Sequence, residues 1–383
     1  MRRRIINNNI LPDINLAMVD VNGNIQTTME TANCYVIKDI GIYQIPLVYG
    51  NGIKNDTINT ISYTQQEPSS GNTQPFYNYK NQQITSPYIE EDTNTNVVSA
   101  EVLYSDADDY DLSDIQIVTG TPCRYIKFTV NSIPSLGGNL IIAIKDSNGV
   151  VMWSWHLWAY QYTIGYKQHT YNSVTYNWMD INLGWVKDGI DTKYGESPYY
   201  QWGRKDPMLR YNNSSNTPAI GSWSITSTAT SLAQTIQNPN VFNTYNSSSN
   251  NNWWTDNGTT VNFYNYWNAY ATTIGILNTF AKTIYDPCPR GWVMPNADAF
   301  GGCTASGGTW TSGYTWDNRY FTVNGCRARD TGNVINFYSH AYYTGCSNQA
   351  LTSIYHFGFK SGTVSSTSTN SRSFGFNVCP VKE

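Results

Sequence analysis

Charge is scarce in this chain. Of its 383 residues only 13% are Lys, Arg, Asp or Glu, 23 basic against 27 acidic, for a formal net charge of −4. Neutralising nucleic-acid phosphates takes clustered Lys and Arg, so no nucleic-acid-binding surface is expected. The one basic cluster is Arg2-Arg3-Arg4. After it the chain reads Ile5-Ile6-Asn7-Asn8-Asn9-Ile10-Leu11-Pro12-Asp13, too broken by Asn, Pro and Asp to be the apolar part of a signal peptide, so synthesis in a cytoplasm without Sec export is expected. A run of 18 apolar residues is also missing, and no membrane span is expected. Histidine is limited to His156, His169, His340 and His356, and neither a Gly-x-Ser-x-Gly elbow nor a phosphate-binding Gly-x-x-x-x-Gly-Lys-Ser loop occurs. The seven cysteines, Cys34, Cys123, Cys288, Cys303, Cys326, Cys346 and Cys379, are scattered and odd in number. They form no zinc spacing and no disulfide scaffold, and the five from Cys288 onward read as small buried hydrophobes.

Aromatic residues are abundant: 30 Tyr and 13 Trp in a background of Asn, Ser, Thr and Gly. That is the composition of an extracellular β protein with uncharged loops. Apolar residues alternate with period two at 34–37, 97–104, 125–130 and 140–145, and turn signals at Asn22-Gly23 and Ser147-Asn148-Gly149 mark hairpins. The expected fold is mainly β with some α: an assembly arm at 1–30, an antiparallel β-sandwich at 31–160, and an α+β domain at 161–383. Within the last, 211–252 is a low-complexity loop. Trp267, Tyr270, Ala271, Ile274 and Leu277 recur at helical spacing, which predicts a helix over 262–282.

The densest motif is Tyr285-Asp286-Pro287-Cys288-Pro289-Arg290-Gly291-Trp292, closing at Pro295. Two prolines with fixed φ and a Gly-Trp step make it a rigid corner whose Trp292 must be buried. The string resembles a segment of the fibrobacter major paralogous domain, a C-type-lectin-like module of fimbrillin-like surface proteins of Bacteroidetes. Similar matches run through Val151 to Trp158, Met179 to Gly184, Tyr199-Tyr200-Gln201-Trp202-Gly203-Arg204-Lys205-Asp206-Pro207, Asn333 to Tyr343 and Ser373 to Glu383, and an opening strand pair at Thr31 to Pro46. The resemblance implies a C-type-lectin-like fold for 161–383, with Trp202, Gly203, Arg204, Asp206, Cys288, Gly291 and Trp292 as structural framework. The sequence departs from the family at Ile181 and at Cys379, one position from the family's usual place for a cysteine.

Other constellations have structural and functional readings. Asp106, Asp108, Asp109, Asp111 and Asp114 crowd one loop, where carboxylates can cage a calcium ion; a solvated acidic turn is preferred because the spacing fits no calcium loop. Trp202 with Arg204 and Asp206 can form a sugar-stacking site, but the preferred reading pairs Arg204 with a nearby carboxylate inside a framework turn. The histidines read as core residues. Copper-dependent formylglycine-generating enzymes share the lectin-like fold, so Cys326 with Cys346 is the pair to test for an oxidase. The expectation is a protein that is not an enzyme and needs no cofactor: a virion structural or attachment protein (head fibre, decoration or tail adhesin) of a phage infecting Bacteroidetes, on the virion surface. The alternatives are a bacterial fimbrial or cell-surface adhesin and, last, a lectin-fold oxidase. Expected partners are other virion or fimbrial subunits through Arg2, Arg3 and Arg4, and a host-surface glycan or protein through loops 55–91 and 211–252. A homo-oligomer, a trimer, is expected.

Overall fold

Alternation shapes the outer sheet of the N-terminal half. In Gly41–Pro46 the side chains of Tyr43 and Ile45 are buried while Ile42 and Gln44 are half-exposed, and in Tyr125–Ser132 the same holds for Ile126, Phe128 and Val130 against Lys127 and Thr129. These strands pair antiparallel, with Asp111–Val118 on one side and Asp13–Asn15, parallel, on the other. The computed structural model describes residues 5–6, 9–10, 13–66, 73, 75–188, 191–211, 216–228, 230–244, 252–253, 255–256, 259–260, 263–350 and 352–383. Mainly β as expected, it is 43% strand and 6% helix, the α-helices among the described residues being the short Ile89–Thr93 and Leu232–Gln237.

A second sheet stacks beneath the first in a sandwich-like arrangement. Its order is Ile220–Gly221, Ser99–Ser105, Gly138–Lys145, Val151–Ala159, Cys34–Ile37, the last pair parallel. Every residue of Val151–Ala159 is buried, as it must be when both faces of a strand are covered. Leu140, Ile142 and Ile144 join the largest apolar cluster. Ile141, on the opposite face, joins Tyr199, Met208, Leu209, Trp223 and Phe242 from the C-terminal half. The hairpin turn expected at 147–149 is present: Gly149, at φ 76°, donates its N–H to the Asp146 carbonyl, and Gly138–Lys145 then pairs with Val151–Ala159.

The C-terminal half carries a four-stranded sheet ordered Tyr166–Tyr171, Val174–Met179, Val381–Lys382, Trp292–Val293, and a larger sheet built on the hairpin His340–Ala350, Ser353–Lys360, Thr363–Ser371. An aromatic cluster of Trp178, Phe300, Trp316, Phe321, Tyr343, Phe357 and Phe359 fills the space between. The largest apolar cluster is not confined to either half, running from Leu16 to Val378.

Two expectations change. Residues 13–30 are not a free arm: Leu16, Ala17, Val21 and Met29 are buried, and Arg290 donates to the carbonyls of Ala17 and Thr28. The segment has too few apolar residues for a core of its own, so it uses the body's. Arg2, Arg3 and Arg4 lie outside the described residues. No helix forms in the described part of 262–282. Asn268 instead folds that stretch into a loop, its side chain donating to the Thr279 carbonyl and accepting from the N–H groups of Tyr270 and Ala281. Tyr266 and Trp267 are drawn into the core while Tyr270 and Ile274 stay exposed, so tertiary burial overrides the period.

Candidate functional site

The Tyr199–Pro207 motif packs against the all-buried strand Val151–Ala159, and its polar groups face one another. Lys205 donates from Nζ to the Ser154 carbonyl at 2.9 Å and to both Asp206 oxygens at 2.8 and 2.9 Å, while the Ser154 hydroxyl donates to Asp206 at 2.7 Å. Asp206 is therefore claimed by Lys205 and not by Arg204. Arg204 instead donates to Gln201 Oε1 and to the Val241 carbonyl. Burial pulls Lys205 down to about 8 despite its carboxylate partner. A lysine of that acidity beside a serine hydroxyl can activate a nucleophile in an open cleft. Here Ser154, Lys205 and Asp206 are all buried, and Lys205 also lies 4.4 Å from the centre of the Trp153 ring. Trp202 is likewise buried, with the Arg372 guanidinium stacked on it at 3.8 Å. Gly203 sits at φ 83°, and a Cβ there would meet Tyr266 at 3.2 Å.

The corner at 285–295 is built as its prolines predict. The Asp286 carboxylate accepts the N–H groups of Cys288 at 2.7 Å and Met294 at 3.1 Å, and burial pushes its pKa up to about 6. Gly291 takes φ 73°, Trp292 is buried, and Trp292–Val293 pairs with the C-terminal Val381–Lys382. Asn33 and Asn51 reach across from the sandwich to the carbonyls of Ile284, Asp286 and Thr283. Motif and sandwich thus share one polar seam.

The remaining candidates are dispersed. Asp106 is buried and held by the Asn139 amide and Arg210, whereas Asp108, Asp109, Asp111 and Asp114 are exposed. Among the described residues no three His, Cys, Asp or Glu side chains are placed to share a metal ion. His156 is buried and hydrogen-bonded to Asn139 Oδ1 at 2.8 Å; burial lowers its pKa to about 3, and that of His356 to about 4. All seven cysteines are free thiols, six of them buried. Burial pushes Cys326 and Cys346 up to about 12, far from the thiolate form that reacts.

The two loops expected to recognise a partner bury most of their described aromatics. In 55–91, Tyr63, Phe76, Tyr79, Ile84 and Ile89 are buried, and Asp92 staples the loop by accepting from Tyr49 Oη, Asn78 Nδ2 and the Thr85 N–H. Leu232–Gln237 of the second loop begins at a Ser231 capping box and buries Leu232 and Ile236, and Gln237 donates to the Tyr79 carbonyl, joining the loops.

The most exposed aromatic ring among the described residues borders the start of the second loop. Tyr211, at the start of the second loop, packs on Phe337 with ring centres 3.9 Å apart, and Phe337 meets Tyr338 edge-on at 4.3 Å. Tyr338 is 72% exposed. Next to Phe337 in the chain, Asn336 donates to the Tyr342 hydroxyl, and further along, Asn216 donates to Asn333 and accepts from Arg327. The sequence signal for this outcrop was the pair Phe337-Tyr338 set between Asn336 and Ser339 with no alternation.

Compared with known proteins, the chain matches no family model, no curated protein and no solved structure.

Proposed function

We propose that this protein is a non-enzymatic virion structural and attachment protein of a phage infecting Bacteroidetes, carried on the particle surface, with a C-type-lectin-like C-terminal half. The observation that carries this reading is the division of chemistry between inside and outside. Most groups that could catalyse are buried: His156 and His356 are neutral, six of the seven thiols lie inside, and the Ser154–Lys205–Asp206 cluster is closed off, while His340 stays half-exposed. Outside, the exposed Tyr338 and Asn336 are side chains that recognise at low ordering cost, with half-buried Phe337 and Tyr211 packed behind Tyr338.

Self-association is part of the proposal. Among the described residues Thr363–Ser371 is the outermost strand of its sheet, bonded to Ser353–Lys360 on one side, and its nine residues include no charge and no proline. Natural edges that must stay single usually carry one or the other. This edge is suited to a second copy of the chain. Labelling particles and cells with an antibody to the chain tests the reading, and label confined to the bacterial envelope would assign it to a cell-surface adhesin.

A further inference from the structure

The tip that carries Tyr338 is strained. Asn336 and Tyr338 have φ of 59° and 62°. Asn tolerates the left-handed region, but a bulky aromatic residue seldom enters it. The tip is nevertheless tied down: Tyr338 donates its N–H to the Val323 carbonyl at 2.9 Å, and the Asn336 carbonyl accepts from the N–H groups of Ser339 and His340. A fixed, unfavourable conformation is therefore spent on holding a ring that is mostly in solvent. Burial does not explain that choice of residue.

We propose that Tyr338, backed by Phe337, forms a stacking platform for a neutral oligosaccharide, flanked by the amide of Asn336. A pyranose ring presents a face of C–H groups that packs on an aromatic ring, and an edge of hydroxyls that both donate and accept. Side-chain amides answer that edge, since each offers a carbonyl oxygen and an NH2 group. The rings are fixed relative to each other by the Tyr211–Phe337–Tyr338 contacts, so little ordering is left to be done on binding. Asn336 is oriented by its hydrogen bond to the Tyr342 hydroxyl. The inference rests on the attachment function and gives it a ligand class and a place.

Tyr338→Asn is the telling variant. It removes the ring while placing at φ 62° a residue that accepts that conformation, so the variant should melt at the same temperature as the native protein or higher. On a printed array of neutral and anionic oligosaccharides the native protein should retain one or more neutral glycans, and Tyr338→Asn and Phe337→Ala should each weaken that binding at least about tenfold. Tyr270→Ala, at an exposed tyrosine on the separate 263–282 loop, should leave it unchanged. Binding to anionic glycans alone, to none, or equally by Tyr338→Asn would overturn the platform. So would a change in oligomeric mass in Tyr338→Asn, which would assign the outcrop to a protein contact. Adhesion of the native protein and of Tyr338→Asn to Bacteroidetes cells separates the two levels. Equal adhesion by both defeats the platform alone, and no adhesion by the native protein defeats the attachment function.

Discussion

His156, His356 and Asp286 set how this fold should respond to acid. Both histidines are buried and neutral, with pKa values lowered to about 3 and about 4 from 6.5. The unfolded chain therefore takes up their protons first as pH falls. Their contribution to stability is complete above pH 6.5 and is lost as pH falls through the range down to the folded values. Asp286 works in the opposite sense. Its folded pKa is raised to about 6 from 3.8, so the cost of burying it charged is present above 6 and is relieved below. Near pH 4.5 each histidine costs about 2–3 kcal/mol and Asp286 returns about 2, so the net effect is acid destabilisation. Thermal melts at pH 7 and about 4.5 should show it. The loss should be smaller in His156→Gln and larger in Asp286→Asn; identical losses in all three proteins would contradict the burial assigned to these groups. Much at this scale was legible. Trp202 and Trp292 sit among fixed-φ and glycine residues that have no use for an exposed ring. The partner of Asp206 was not legible, because adjacent Arg204 and Lys205 are equivalent in sequence and only the position of Ser154 on a distant strand selects Lys205.

Strands were easier to read than the connections between them. In 125–130 the alternation marks a strand because one face must reach a core. For Gly138–Lys145 a strand forms as expected but without alternation in burial, because both of its faces are covered. The 262–282 stretch had an equally regular pattern and formed no helix, because Asn268 closes a loop with its own side chain and Trp267 finds its place under Trp202. The exposure expected of aromatics in the two loops is corrected for a related reason: Tyr and Phe in a low-complexity stretch look exposed until neighbouring sheets offer Tyr63, Phe76, Tyr79 and Phe242 a core. The edge strand Thr363–Ser371 gives a test at this scale. Thr367→Lys puts a charge on its exposed face without touching the core. In light scattering it should shift the native oligomer to monomer mass with little change in melting. A native protein that is already monomeric at micromolar concentration, or a variant of unchanged mass, would count against pairing through this edge.

The sequence divides readily at about residue 160, yet the core does not follow that boundary. Asn33 and Asn51 satisfy carbonyls at 283–286, Lys205 is bonded to Ser154, and the central sheet has apolar partners on both sides from opposite ends of the chain. Such sharing predicts one cooperative unfolding transition. Calorimetry should give a single peak, and 31–160 and 161–383 expressed separately should not fold alone; two resolved peaks, or two stable fragments, would show independent domains. The proposed place of the whole molecule on a phage particle is tested by electron microscopy of a Bacteroidetes culture releasing phage, labelled with a gold-conjugated antibody to this chain. Gold is expected on the surface of the phage particles; gold confined to the cell interior or to the envelope of uninfected cells would rule the proposed function out.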